Sequence, residues 1–255
     1  MIRSVFHLPL RALQGFLTSL VTLMRVFIPI PYYTQICRRA KSLGQDLCRL
    51  SERDITDPVI DSTGLKVYGE GEWKVRRHGY SKRRTWRKLH LAVCPDSNEI
   101  LFEILTENNV SDCDIYPEFA EASPETIERI YCDGAYDTEG CYQASTAHGL
   151  DLITPPQKNA VFKKNAPPHM QARNNAVLEI LGLGGNEEGR KLWKKLKGYH
   201  RRSLGETAMF RFKQLFGNDL KSRGHATQKA EARVKCEALN MMTRLGMPEG
   251  EWLAA

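Results

Sequence analysis

The sequence predicts a mixed α/β protein, with a five-stranded mixed sheet flanked by helices and a small all-helical region in front of it. Three observations predict this. The apolar period is helical over the first fifty residues and becomes strand-like from Pro58. Three strand-like runs then follow closely, around residues 59–68, 86–93 and 100–106. After them, helix-like and strand-like stretches alternate.

In the first region Leu8, Leu10, Leu13, Phe16, Leu17, Leu20 and Met24 recur at helical spacing, with Arg11 and Gln14 between them. The apolar stretch 16–24 is too short to cross a bilayer and is followed by Arg25, so it reads as a buried helix. Pro29 and Pro31 end the pattern, and 33–43 reads as a short helix exposing Arg38, Arg39 and Lys41. Helix, proline turn and basic helix have the order of a helix-turn-helix. The mainly polar residues 45–56 read as a linker.

Val59-Ile60 leads into Asp61, and Leu65-Lys66-Val67-Tyr68 continues in strand-like fashion; Asp61 before Ser62-Thr63-Gly64 also has the composition of a turn cap. A basic insert, 69–85, separates this from an alternating run over 86–93. Pro95-Asp96-Ser97-Asn98 is a turn, and 100–106 is a third strand, so the three form an antiparallel meander. Ser111 can cap a helix over 112–121. Residues 127–132 make a short strand ending at Asp133. A helix from Thr138 stops at Gly149, and Leu152-Ile153 is a fifth strand halted by Pro155-Pro156. Residues 157–186, rich in Asn, Pro and Gly, read as an insertion or loop. A basic helix from Glu187, a helix carrying Glu206 and a last helix over 227–244 complete the chain. This β-β-β-α-β-α-β order lets the first and fourth strands lie side by side, which brings Asp61 and Asp133 together.

The net charge of +7 favours a polyanionic partner. Its distribution is more telling. Lys74, Arg76, Arg77, Lys82, Arg83, Arg84, Arg87 and Lys88 are interleaved with Trp73, Tyr80 and Trp86, and Arg190, Lys191, Lys194, Lys195, Lys197, Arg201 and Arg202 form a second cluster. Each cluster is next to a candidate acid, which suits phosphate contacts. The seven cysteines are odd in number and contain no C-x2-C pair, which argues against a zinc ribbon or disulfide framework and for reduced thiols in the cytosol.

Near the C-terminus Tyr199, Arg202, Glu206 and Lys213 spell Y-x2-R-x3-E-x6-K. On a helix these offsets place all four on one face, with Leu204, Ala208, Phe212 and Leu215 on the other. A glutamate flanked by two cations and a phenol suits a carboxylate that holds a metal while its neighbours hold a charged substrate. With Asp61 and Asp133, three carboxylates converge in basic surroundings and suit two Mg²⁺ ions for phosphoryl transfer. Asp137 competes with Asp133 for the metal role, whereas Asp112 and Asp114 read as helix-capping residues. No zinc spacing, nucleophile elbow or glycine-rich phosphate loop offers a rival chemistry.

Four motifs carry a family resemblance over about residues 5–245: Asp-Ser-Thr-Gly-Leu-Lys-Val at 61–67, Lys-Arg-Arg-Thr-Trp-Arg-Lys-Leu-His at 82–90, Tyr-Cys-Asp-Gly-Ala-Tyr-Asp at 131–137 and the Tyr199, Arg202, Glu206, Lys213 signature. The chain resembles bacterial insertion-sequence transposases of the DDE type, whose catalytic domain has the ribonuclease H-like fold. The resemblance implies Asp61, Asp133 and Glu206 as catalytic and metal-binding triad, loaded with two Mg²⁺ (Mn²⁺ substituting). Tyr199, Arg202 and Lys213 would support it and hold the transposon end, with Lys82, Arg83, Arg84, Arg87, Lys88, Lys194 and Lys195 as further DNA contacts. It implies double-stranded DNA as partner, both terminal inverted repeats and target, a homodimer on DNA, no membrane, and a place in the bacterial cytoplasm at the nucleoid. Residues 1–50 would be a helical DNA-binding or dimerisation region and 51–255 the catalytic domain, with an insert at about 155–198. Leu8-Pro9-Leu10-Arg11-Ala12 and the Pro-x-Pro-x-Tyr-Thr stretch at 29–34 resemble the family's pre-catalytic helices. Family members usually carry a longer stretch before that segment. The alternative expectation is therefore a truncated, catalytically silent DNA-binding form that inhibits a full-length transposase.

Overall fold

The computed structural model describes residues 1–42, 50, 57–67 and 86–246. The described helices are α1 (Ile2–Val5), α2 (Leu10–Leu23), α3 (Tyr33–Arg39), α4 (Asp112–Ala122), α5 (Glu139–Ala147), α6 (Gln171–Gly182), α7 (Glu187–Leu196), α8 (Ser203–Phe216) and α9 (His225–Leu245). The strands are β1 (Val59–Val67), β2 (Trp86–Val93), β3 (Ile100–Glu107), β4 (Arg129–Tyr131), β5 (Asp151–Ile153) and β6 (Asp219–Leu220). They form one mixed sheet in the order β3-β2-β1-β4-β5, with β6 pairing the far end of β1. This six-stranded sheet between helices is the ribonuclease H-like arrangement expected, with one short strand more than the sequence suggested.

The meander is antiparallel, β1 to β2 from Val59↔Val93 to Lys66↔Trp86, and β2 to β3 from Arg87↔Glu107 to Val93↔Ile100. β4 joins β1 in parallel at Val59↔Tyr131, and β5 continues in parallel. Asp61-Ser62-Thr63-Gly64 does not form a turn. All four residues pair with β2, so β1 runs unbroken through its polar middle.

Strand periodicity sorts the core into two faces. Ile60, Ala92 and Phe102 meet Tyr116 and Phe119 of α4 and Tyr142 of α5. On the other face Leu65, Leu89 and Leu91 meet Ala208, Phe212 and Phe216 of α8 and Cys236 and Leu239 of α9. Val59, Tyr131 and Ile153 extend that second face toward Ala176 and Ile180 of α6 and Trp193 of α7. β2 is thus covered on both sides, as its fully buried Leu89, His90 and Leu91 show.

Two expectations need correction. Residues 157–186 hold a regular helix, α6, which buries Asn174, Ala176, Val177 and Ile180. The prolines and glycines that suggested a loop lie at its flanks. The apolar N-terminal segment is helical but not buried. Leu13 is the one buried residue of α2, while Leu23 and Met24 are exposed. The reason is that α2 docks chiefly on α3, through Tyr33 N–H to Gln14 Oε1 (3.2 Å) and Arg11 to Tyr33 Oη (3.2 Å), and a two-helix hairpin has no second layer to cover it.

Candidate active site

The parallel join of β1 and β4 sets the site. Val59 and Tyr131 are Cα partners, and Asp61 and Asp133 each follow two residues later. Equal offsets along neighbouring parallel strands put the two aspartates at one level on one face. Beyond Tyr131 the chain leaves the ladder. Asp133 accepts from Ala135 N–H (2.9 Å) through Oδ1 and starts a 3₁₀ turn over Gly134–Tyr136, while its carbonyl accepts from Thr154 Oγ1 (2.5 Å).

Glu206 arrives on α8, one residue after a point of close backbone approach. A Cβ on Gly205 would stand 2.9 Å from Val59 Cγ1 and 3.5 Å from Asp61 Cβ, so only glycine lets α8 lie this close to β1. The four signature residues are not on one helix. α7 ends at Leu196, and Gly198 just beyond it takes the left-handed conformation (φ 68°) common after a helix C-terminus. Tyr199–Arg202 forms a 3₁₀ turn, and α8 begins at Ser203. The break brings Glu206 into the first turn of α8, where the helix dipole favours a carboxylate. Lys213 follows two turns on.

Arg202 ties these parts together. Its Nη1 donates to Glu206 Oε1 at 2.7 Å, and its Nη2 stands 3.6 Å from Asp61 Oδ2. Burial pushes the Asp61 carboxyl up from its ordinary pKa; the Ser62 N–H and Arg202 oppose this, and the charges of Asp133 and Glu206 add to it. Burial works against the Arg202 charge, yet Asp61, Tyr199, Glu206 and Asp133 together push its pKa up. The three carboxylates and the guanidinium are therefore one electrostatic cluster. The Tyr199 hydroxyl, raised by burial, adds a neutral wall, and the Lys194 ammonium lies 5.4 Å over its ring.

An oxygen-only donor set of three carboxylates, with mutual repulsion felt at a partly buried Asp61, suits a hard divalent cation. Among the described residues no three His, Cys, Asp or Glu side chains are drawn together tightly enough to chelate one as placed. Arg202 stands between two of the acids, bonded to Glu206 and beside Asp61.

The remaining predicted residues divide. Lys194 and Lys195 are in the last turn of α7, on the approach to Tyr199. Arg87 and Lys88 have intramolecular partners. Arg87 Nε donates to Gln228 Oε1 (3.0 Å), and Lys88 Nζ donates to Val110 O (2.9 Å) and Asp112 Oδ1 (3.3 Å). Asp112 is thus an ion-pair partner as well as a first-turn residue, and Asp114 accepts from Ser111 N–H (3.2 Å). Lys82, Arg83 and Arg84 lie outside the described residues. Asp137, the competing candidate, is engaged within the fold. Its fully buried carboxylate accepts from Gln157 N–H (2.8 Å), Tyr142 Oη (3.1 Å) and Arg173 Nε (2.9 Å).

The sequence has a counterpart among known protein families. A family model described as a transposase DDE domain matches residues 53–241, well over half of the chain, and a second of the same description matches residues 1–70. The chain belongs to the DDE transposase family. It is a DDE-type insertion-sequence transposase, and the family supports transposase function in general, which acts on DNA. DDE transposases generally use divalent metal ions, in keeping with the donor set described above. No helix among the described residues is long and apolar enough to cross a membrane.

Several residues that shape the transposase site carried no local signal. Thr154 acts through Asp133, 21 positions away, and Gly205 through β1 residues more than 140 positions away. The DGAYD motif did contain Asp137, but its partners Gln157 and Arg173 lie in the segment read as a loop.

Proposed function

We propose that this transposase cuts DNA at the ends of its element and joins them to target DNA, with Asp61, Asp133 and Glu206 as the catalytic carboxylates. The observation that carries the reading is the shared electrostatic cluster of these three acids with Arg202, on the face where α8 touches β1. Asp61 and Asp133 would hold divalent cations, Mg²⁺ or Mn²⁺, and Glu206 would join them on leaving Arg202. When bound, two such ions activate an attacking oxygen and stabilise a leaving oxygen in phosphoryl transfer, with no nucleophilic side chain required.

The chain's own residues do the rest. Arg202, freed from Glu206, offers a two-nitrogen fork to a phosphate of the transposon end. Lys213, two turns along α8, and Lys194 and Lys195 on α7 extend the cationic track on either side. Tyr199 walls the site and holds Lys194 in place. The DNA is double-stranded, and both terminal repeats are served by a homodimer. The same sites act twice, first with water as attacking group to free a 3′-hydroxyl, then with that hydroxyl against the target.

The test is cutting of a labelled duplex carrying the flanking inverted repeat, with Mg²⁺ or Mn²⁺. Wild type should cut at the repeat end, and Asp61→Asn, Asp133→Asn and Glu206→Gln should each bind without cutting. Metal-dependent cutting by any of the three removes that residue from the role. Binding without cutting by the wild type favours a silent, DNA-binding form.

A further inference from the structure

The segment 154–157 joins the Asp133 turn to the basic helix. At one end Thr154 Oγ1 donates to the carbonyl of Asp133, and Cys132 N–H donates to Ile153 O (3.1 Å). At the other end Gln157 N–H donates to the buried carboxylate of Asp137, four residues after Asp133, which also holds Arg173 of α6. Between them lie two prolines, which stiffen the backbone and cannot donate hydrogen bonds. Arg190 of α7 grips the carbonyls at the end of this segment: Nη1 and Nη2 donate to Pro156 O (2.9 and 2.6 Å), and Nη2 also donates to Gln157 O (2.8 Å). α7 is in turn fastened to α6 by Trp193 Nε1 to Glu179 Oε2 (2.7 Å) and Lys197 Nζ to Glu179 Oε1 (3.0 Å), and to β4 by Tyr131 Oη to Lys197 O (3.2 Å).

Arg190 belongs by sequence to a cluster of surface cations, but its guanidinium is committed to backbone carbonyls. Resting on the function proposed above, we infer that Arg190 is a positioning residue. It locks α7, which carries Lys194 and leads into Tyr199 and Arg202, to the strut 154–157 and so to Asp133, with Asp137 as the buried anchor. The DNA-facing helix and the second catalytic aspartate then move as one rigid unit, and the phosphodiester held by the first is delivered in register to the second. A misplacement of about 1 Å at the reacting centre can cost on the order of a hundredfold in rate, so such a lock is worth having even far from the chemistry.

Arg190→Ala and Arg190→Lys separate this from a phosphate contact. Lysine keeps the charge but presents one nitrogen where arginine presents two. We expect Arg190→Lys to bind the repeat duplex like wild type and Arg190→Ala to bind slightly more weakly. At saturating DNA both should cut about tenfold or more slowly, with part of the cutting displaced from the wild-type position. Amide exchange should rise severalfold across 133–137 and at Gln157 and Lys158 in both variants and stay unchanged in β3 and α9. Asp137→Asn, which keeps the shape and removes the charge facing Arg173, should give the same pattern. Wild-type cutting by Arg190→Lys, or wild-type exchange across 133–137 in either Arg190 variant, overturns the inference. If the wild type itself does not cut, the proposed function fails, and the exchange measurement still decides whether Arg190 couples α7 to the Asp133 turn.

Discussion

Arg202 and Glu206 are joined by a 2.7 Å ion pair one helical turn apart, and the same guanidinium stands 3.6 Å from Asp61. The pair is half in solvent, so the bond is weak, about 1 kcal/mol or less. A contact this light can be exchanged during a reaction cycle.

Removing it should move two affinities in opposite directions. Arg202→Gln should raise Mn²⁺ affinity, read by calorimetry, by up to about fivefold, because a cation next to the carboxylates is gone. The same variant should bind the repeat duplex more weakly, with a shallower salt dependence, because a phosphate contact is lost. Unchanged or weaker Mn²⁺ binding would show that Arg202 does not compete for the carboxylates.

Gly205→Ala should disturb the approach of α8 to β1. The added Cβ would stand 2.9 Å from Val59 Cγ1 in a buried setting. Overpacking of this kind costs about 1–3 kcal/mol, and here it also displaces Glu206 from Asp61. A lowered Tm together with strongly reduced cutting is expected. A drop in Tm with full activity would mean that the spacing of α8 from β1 does not matter for the chemistry.

Salt should discriminate between the basic residues. Lys194→Ala and Lys195→Ala should each lower the slope of log affinity against log salt by about one, since each loses about one phosphate contact. Arg87→Ala should leave the slope unchanged and lower Tm instead, because it loses the bond to Gln228. Filter binding over a salt series decides both.

Two buried groups should pull the stability curve in opposite directions. Burial pushes Glu103 up from 4.5 to about 7, against the opposing pull of Arg233. The folded protein therefore holds that proton more tightly than the unfolded chain, and stability is lost as pH rises from about 4.5 to about 7. Burial pushes His90 down from 6.5 to about 4, although Asp112 favours its charge. Stability is then lost as pH falls from about 6.5 to about 4. Each effect is roughly 3 kcal/mol at full extent, so in the shared window they largely cancel. Glu103→Gln should give a Tm that climbs with pH relative to wild type, and His90→Gln one that falls. Parallel curves for wild type and both variants would contradict this.

How much was legible depended on the range of the contacts involved. Asp61 and Asp133 could be found because each follows an apolar run, and a β-β-β-α-β order leaves the first and fourth strands as neighbours. The helix over 112–121 and the strand over 86–93 match α4 and β2 almost residue for residue, since caps and alternation are local signals. The break at Gly198 was missed because the Tyr199, Arg202, Glu206, Lys213 offsets suit a helix as well as they suit a 3₁₀ turn leading into one. The intramolecular bonds of Arg87 and Lys88 could not be read because their partners, Gln228 and Val110, lie 141 and 22 residues away. The exposure of α2 could not be read either, as an apolar stripe tells which side wants cover and not whether cover exists.

The most direct test of the account is end cutting by wild type and Glu206→Gln side by side, on a labelled repeat duplex with Mn²⁺. The account predicts cleavage at the repeat end by the wild type, none by the variant, and equal DNA binding by both. Cutting by both proteins at similar rates would contradict the assignment of Glu206 and, with it, the three-carboxylate site.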